Sequence, residues 1–350
     1  REWVEGEMAA QRADLSEDGI AHRQEILSAI AYSGDVESGK FLAKVAQNDY
    51  LPAGDWSAIL TNIYPEDPGF DPMLDALRRD PPTGQVGAAI RDHANHSLLD
   101  EDWEASVAHP FDSPAGAAVL KDWLEKPEDQ GGDPFGAAFA LGFCADPACA
   151  ALRAIALEHP SESVRMEAAW SDCRQGGEAG LKYLTDASLD LNRSSLALTY
   201  LRELGHDDAI PAAATEPSFV AKAEMVGWLK HPQELGAPPA SIEEFDSREL
   251  VWPPARTGDK QRVWLFKFAY IPAENEPLDT NYGMFGGNFI WSSLIEYEAE
   301  PTPAELYAHH LKIETGRPTW DDEGNETPGE EISDEEAMKR LLEANPGMFE

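Results

Sequence analysis

The sequence predicts a mainly α fold, with an α-solenoid of short helical repeats followed by a small C-terminal α+β module that contains an antiparallel hairpin. Three observations in its 350 residues carry this reading. Alanine-rich helical segments recur at near-constant spacing in the middle of the chain. Clusters of Pro, Gly and Asp punctuate the first two thirds at helix-length intervals. Strict two-residue alternation of aromatics appears only after residue 250.

From the N-terminus, apolar spacing predicts helices over 21–32, 38–46, 55–63, 72–79, 86–96 and 115–124. The breaks between them read LPAGD, YPEDPGFDP, RRDPPTG, HPFDSPAG and KPEDQGGD, rich in residues that stop or cap helices. Further on, three segments follow one plan: DPFGAAFALGFCADPACAALRAIAL from Asp133, SVRMEAAWSDCRQGGEAGLKYL from Ser163, and NRSSLALTYLRELGHDDAIPAA from Asn192. Each opens with a helix carrying a small-residue pair (Ala137-Ala138, Ala168-Ala169, Leu196-Ala197), breaks, and continues as a second short helix. The pairs recur every 28 to 31 residues, and Ala88-Ala89 and Ala117-Ala118 upstream are 29 apart. Such a period marks an array in which each unit buries its apolar face against its neighbours. Alanine suits the seam because it favours helix and lets two helices approach closely.

Over residues 133–214 the chain resembles the HEAT-type helical repeats named for the phycobilisome lyase family, through VRMEAAWSD around Arg165 and LTYLRELGHDDAIPA around Gly205. The resemblance implies a fold and carries no activity with it. On this reading residues 1–235 are one solenoid, 236–250 a linker, 251–316 the α+β module, and 317–350 an acidic, disordered linker ending in a short helix.

In the module, QRVWLFKFAY (261–270) places Trp264, Phe266, Phe268 and Tyr270 on one face of a first strand, and the expectation is that this face is buried as the module's own core. A second strand carries Phe289, Trp291, Ser293, Ile295 and Tyr297, with Gly286-Gly287 as a bulge or bend. Thr302-Pro303-Ala304-Glu305 reads as a capping box that opens a helix through Leu311. The last helix has Ser333 as N-cap and Met338, Leu341 and Leu342 on one side, and it is too short to stand alone. It is expected to dock on its own body or on a partner chain.

Composition bounds the function classes. A formal net charge of -38 disfavours nucleic acid and anionic membrane surfaces as partners, because there is no cationic surplus with which to release their counterions. No apolar run reaches the roughly 18 residues of a membrane span, so membrane insertion is not expected. REWVEGEMAA has no apolar signal region, and the chain opens on Arg1, which leaves an upstream targeting segment open. Cys144, Cys149 and Cys173 are too few for a disulfide framework and show no zinc-type pairing with histidine in sequence. A reducing cytoplasm is the expected location.

The sequence has no P-loop, dinucleotide fingerprint or GxSxG elbow. No histidine is followed by glutamate, so the His-Glu pairs of HEAT-repeat iron hydroxylases have no counterpart. His93 and His96 could share a helix face but lack a third ligand, and the adjacent His309 and His310 point about 100 degrees apart on a helix. The cysteines read as small core residues, with a Cys144–Cys149 redox pair as the sharper alternative. Trp56, Trp103, Trp123, Trp170 and Trp228 read mainly as packing between repeats. No catalytic residue, metal ligand or cofactor is therefore assigned. Arg153, Lys182 and Tyr183, on second helices of the clearest repeats, are the candidate partner contacts.

The expected function is a non-enzymatic scaffold or adaptor for a protein partner, basic if the charge steers association. Two alternatives stand beside it: a lyase-like or chaperone-like accessory of a chromophore-carrying protein, and an acidic, immunity-type inhibitor of a basic partner.

Overall fold

A computed structural model describes residues 16–47, 53–99, 108–127, 131–252, 260–270, 279–286, 289–293, 300–320, 324 and 326–349. The described chain is mainly helical, with an antiparallel four-stranded sheet towards its C-terminus, and it divides into two compact units, Arg1–Leu184 and Thr185–Glu350.

In the first unit the helices are α1 (Glu17–Ser33), α2 (Val36–Ala46), α3 (Ala53–Leu60), α4 (Phe70–Arg79), α5 (Gly84–Leu99) and α6 (Pro114–Glu125). They are followed by α7 (Pro134–Ala140), α8 (Pro147–Leu157) and α9 (Glu162–Arg174), and α10 (Glu178–Ala187) ends across the boundary. Their starts are set by short polar side chains that accept from otherwise orphaned N–H groups. Asp35 accepts from Ser38 N at 2.9 Å, Ser113 from Gly116 N at 3.0 Å and Asp133 from Gly136 N at 2.9 Å. All six upstream helices lie where the apolar spacing places them, longer by one to four residues at an end except for the 55–63 helix, which starts and stops early.

Packing in this unit follows chain order closely. Helix α1 packs on α3, α2 on α4, α3 on α5, α4 on α6, α5 on α7, α6 on α8 and α7 on α9, while α7, α8 and α9 also touch in succession. Small residues make the approaches possible. Ala137, Ala138, Ala168 and Ala169 are completely buried, and a Cβ on Gly39 of α2 would stand 1.9 Å from the carbonyl oxygen of Gly69. The pairing rule is looser than the sequence suggests, since Ala197 is buried but its neighbour Leu196 is exposed.

The second unit holds α11 (Ser194–Glu203), α12 (Pro217–Leu229), strands β1 (Ser241–Val251), β2 (Lys260–Tyr270), β3 (Asp279–Gly286) and β4 (Phe289–Ser293), α13 (Pro303–Thr315), the two-residue strands β5 (Thr319–Trp320) and β6 (Glu326–Thr327), and α14 (Asp334–Ala344). The sheet is an antiparallel meander in the order β1-β2-β3-β4, with a register shift in β1 between Glu244 and Asp246.

Several expectations are corrected here. QRVWLFKFAY is the second strand, paired on both sides, because most of the expected linker 236–250 is the edge strand β1. The predicted second strand is β4, paired with β3, and its Ile295 and Tyr297 lie outside the described residues. The boundary expected at residue 235 gives way to one after Leu184. The physical reason is α12: its Ala221, Met225 and Leu229 form the apolar layer beneath Trp264, Phe266 and Phe268. Burial of the aromatic face is as expected, with Phe266 and Phe268 0% and 1% exposed, but Ala221, Met225 and Leu229 of its partner layer come from a helix assigned by sequence to the solenoid.

The opposite face of the sheet, with Val263, Leu265, Met284 and Trp291, packs on α13 and α14 through Leu306, Tyr307, Leu311, Ala337 and Leu341. The capping box at Thr302 and Glu305 is present, and its helix runs on to Thr315. The C-terminal helix docks on its own body: Leu341 is buried and Met338 packs at the edge, while Leu342 remains exposed. The expected disordered stretch before it includes the β5–β6 pair and Ile332, which joins the same core.

Candidate functional site

Among the described residues, a group of metal-competent side chains lies in the first unit, where the loop before α6, the end of α7 and the start of α8 meet. Helix α7 gives way to a short 3-10 turn, Leu141–Phe143, that is closed by Cys144. Asp146 then caps α8, its Oδ1 accepting from Ala148 N at 2.8 Å, and Pro147 occupies the first helical position. Cys149 therefore falls in the first turn of α8, where the helix dipole favours negative charge. From the preceding loop, Asp112 Oδ1 accepts from Asp146 N at 2.7 Å and so ties its carboxylate to the cap.

The result is a triad of Asp112, Cys144 and Cys149 whose ligating atoms all lie within 4.8 Å of one another. Both cysteines are completely buried and in the free thiol form, and Asp112 is half-buried. His109 completes the surroundings. Its Nδ1 is 3.8 Å from Cys144 Sγ and accepts from Phe111 N at 3.2 Å, which leaves the proton on Nε2. Burial pushes this imidazole down to about 3, with the Arg91 charge adding to the effect, so it is neutral at ordinary pH. Hydrogen bonding to Cys149 and burial push the Cys144 thiol well above its usual range.

The sequence shows no zinc-type pairing of cysteine with histidine, yet the fold brings His109 Nδ1 to 3.8 Å from Cys144 Sγ. Thirty-five residues separate His109 from Cys144, beyond the reach of any local spacing rule. An aromatic wall stands behind the pair: His109 stacks on Phe143, Phe143 and Phe139 flank Trp170, and the Arg174 guanidinium lies 4.8 Å over Phe143.

Arg153 is corrected from partner contact to internal brace. It is 8% exposed, and its Nη1 donates to Cys144 O at 2.9 Å and to Leu141 O at 3.2 Å. It thereby satisfies the carbonyls at the end of the 3-10 turn. Lys182 is exposed, and Tyr183 is half-buried, its hydroxyl accepting from Arg165 Nε at 3.4 Å. The structure does not bring Arg153, Lys182 and Tyr183 together as one exposed patch.

His93 and His96 line an open cleft of about 530 Å³ together with Ser57, Thr61, Tyr64 and Asp92. Burial lowers His93 to about 4, with His96 contributing, and its ring meets Phe70 edge-on at 5.7 Å. No third ligand-bearing side chain is gathered with this pair among the described residues. His310 is fully buried on α13, lowered to about 3 by burial and by neighbouring His309. Of the five tryptophans read as packing, Trp56, Trp123 and Trp170 are buried, Trp228 is 38% exposed, and Trp103 lies outside the described residues.

Compared with protein-family models, curated proteins and solved structures, the chain matches none. Among the described residues no helix is long and apolar enough to cross a membrane.

Proposed function

We propose that the protein is a non-enzymatic binding module whose first unit works as a HEAT-like α-solenoid, acting as scaffold or adaptor for another protein. The observation that carries the reading is the order of packing, with each helix from α1 to α7 set against the one two places further along. An array built this way presents successive helices of one layer side by side, a surface that grows with the number of repeats and suits an extended partner. Lys182 and Tyr183 of α10 remain the candidate contacts on it; Arg153 no longer does.

The charge favours a second reading, in which the partner is basic and the protein acts as its acidic inhibitor. A net charge of -38 draws a cationic protein in from a distance and speeds encounter, an effect that salt suppresses.

Affinity purification of the intact chain from its source, followed by mass spectrometry at low and high salt, tests both. The scaffold reading expects a stoichiometric protein partner whose binding weakens on Lys182→Glu. The inhibitor reading expects that partner to be basic and to be released by salt. Turnover of a substrate that is abolished by one side-chain change on the α10 surface would overturn the non-enzymatic reading.

A further inference from the structure

We infer that Asp112, Cys144 and Cys149 form a binding site for a single zinc-class divalent ion, with His109 Nδ1 as the fourth donor. The argument begins with geometry. Zinc holds thiolates at about 2.3 Å in a tetrahedron, which sets two sulfurs roughly 3.8 Å apart. The three ligating atoms here lie within 4.8 Å of one another, and His109 Nδ1 is 3.8 Å from Cys144 Sγ. Closing the three on an ion therefore asks for shifts of about 1 Å, whereas His109 stands outside their 4.8 Å group and has to swing in from its place beside Cys144. The Nδ1 lone pair accepts from Phe111 N–H at 3.2 Å, and metal binding exchanges that bond for the ion.

The donor set selects the ion. Two sulfurs, one imidazole nitrogen and one carboxylate oxygen suit borderline-soft zinc and exclude magnesium and calcium, which take oxygen ligands. Binding replaces the two thiol protons, which leave to solvent, so the ligands become two thiolates, one carboxylate and one neutral imidazole. With the ion's two positive charges the site carries one net negative charge. Cys149 sits at the positive end of α8, and Arg153, which also faces Asp172 at 3.8 Å, holds the Cys144 carbonyl.

The surroundings are those of a structural centre. Asp112 is oriented by the Asp146 N–H, much as carboxylate ligands are held in metal sites, and its partial exposure leaves a route inward. Both cysteines are buried on elements that are rigidly capped, and the site joins three consecutive segments of the first unit. A ligand shared by the loop before α6, the end of α7 and the start of α8 would pin the stacking at that point.

The test uses the full chain, reduced with a non-chelating phosphine and stripped of metal. Zinc is then added and the protein-bound equivalents are counted by native mass spectrometry, while cobalt(II) serves as a spectroscopic probe. One equivalent of zinc, thiolate-to-cobalt charge-transfer bands in the near ultraviolet and intense tetrahedral bands in the visible are expected. Cys149→Ser should abolish the zinc equivalent, and Asp112→Asn should keep the charge-transfer bands while weakening zinc by about tenfold or more. Cys173→Ser, outside the cluster, should bind like the parent. Failure of the folded, reduced parent to retain zinc, a cobalt spectrum without charge-transfer bands, or full retention by Cys149→Ser would each overturn the assignment. The parent's own zinc count and spectrum decide the matter even where a cysteine variant does not fold.

Discussion

The two compact units solve the problem of burying apolar surface with different materials. In Arg1–Leu184, helices meet through Ala and Gly, and the large side chains that are buried, Trp56, Phe70, Phe111 and Trp170, fill gaps between closely set backbones. In Thr185–Glu350, a sheet carries large residues on both faces and helices close over each: α12 on the Phe266 side, α13 and α14 on the Leu265 side. The two units are therefore vulnerable in opposite ways. A seam of small residues tolerates little added volume, whereas an aromatic layer tolerates little removed.

The largest effect should come from emptying the aromatic layer. Phe266→Ala removes a completely buried ring that lies opposite Gly283, the position whose missing Cβ leaves room for Met225. A cost of about 4 kcal/mol is expected, read as a lowered denaturant midpoint with loss of amide protection confined to residues after 185. Equal loss of protection in α2–α7 would show that the two units do not unfold separately.

Next comes the buried charge network around Arg91. Arg91 on α5 is 1% exposed, lies 5.0 Å over Trp123, and donates from Nη2 to Asp133 Oδ2 at 2.5 Å and to Asp92 Oδ1 at 2.7 Å. Asp133 also caps α7. Asp133→Ala removes a cap and leaves the guanidinium with one carboxylate fewer, for an expected loss of about 3 kcal/mol. Asp133→Asn, which keeps the cap, should recover about 1 kcal/mol of it in the same equilibrium melt.

Gly39→Ala probes the small-residue seam directly. Its new methyl would meet the Gly69 carbonyl, backbone that has no rotamer with which to move aside, so α2 and α4 must separate at a cost of about 2 kcal/mol. A neutral or stabilising result, as helix propensity alone would give, would show that the close approach is not what sets the packing.

The smallest effect at neutral pH, and the sharpest in its pH dependence, is expected at His310. Its folded value of about 3 lies below the ordinary 6.5, so the unfolded chain binds the proton more readily between those limits. Stability is therefore full above pH 6.5 and is lost as pH falls from there towards 3. His310→Leu cannot take up a proton, so it should flatten that slope in acid titrations of the second unit's unfolding. At pH 7 it should change stability by about 1 kcal/mol or less, since both ring nitrogens are buried without a hydrogen-bond partner among the described residues.

Local chemistry is what made much of the fold legible. Caps such as Asp133, Thr302 and Ser333, alanine seams and the period-two stripe of β2 each act within a few residues, so they are written in the order of the chain. Burial of the Trp264–Phe268 face followed from the same logic. The edge strand β1 was not legible, because SIEEFDSREL alternates poorly and its identity as a strand depends on hydrogen bonds from β2. Nor was the role of α12, whose apolar residues look alike whether they face a helix or a sheet. The candidate site shows the limit most clearly. Cys144 and Cys149 are near neighbours in the chain, but Asp112 joins them, and His109 comes up to Cys144, only because α6, α7 and α8 stack on one another. Spacing along the sequence sets which residues share an element, and only the packing of those elements decides which side chains meet across them.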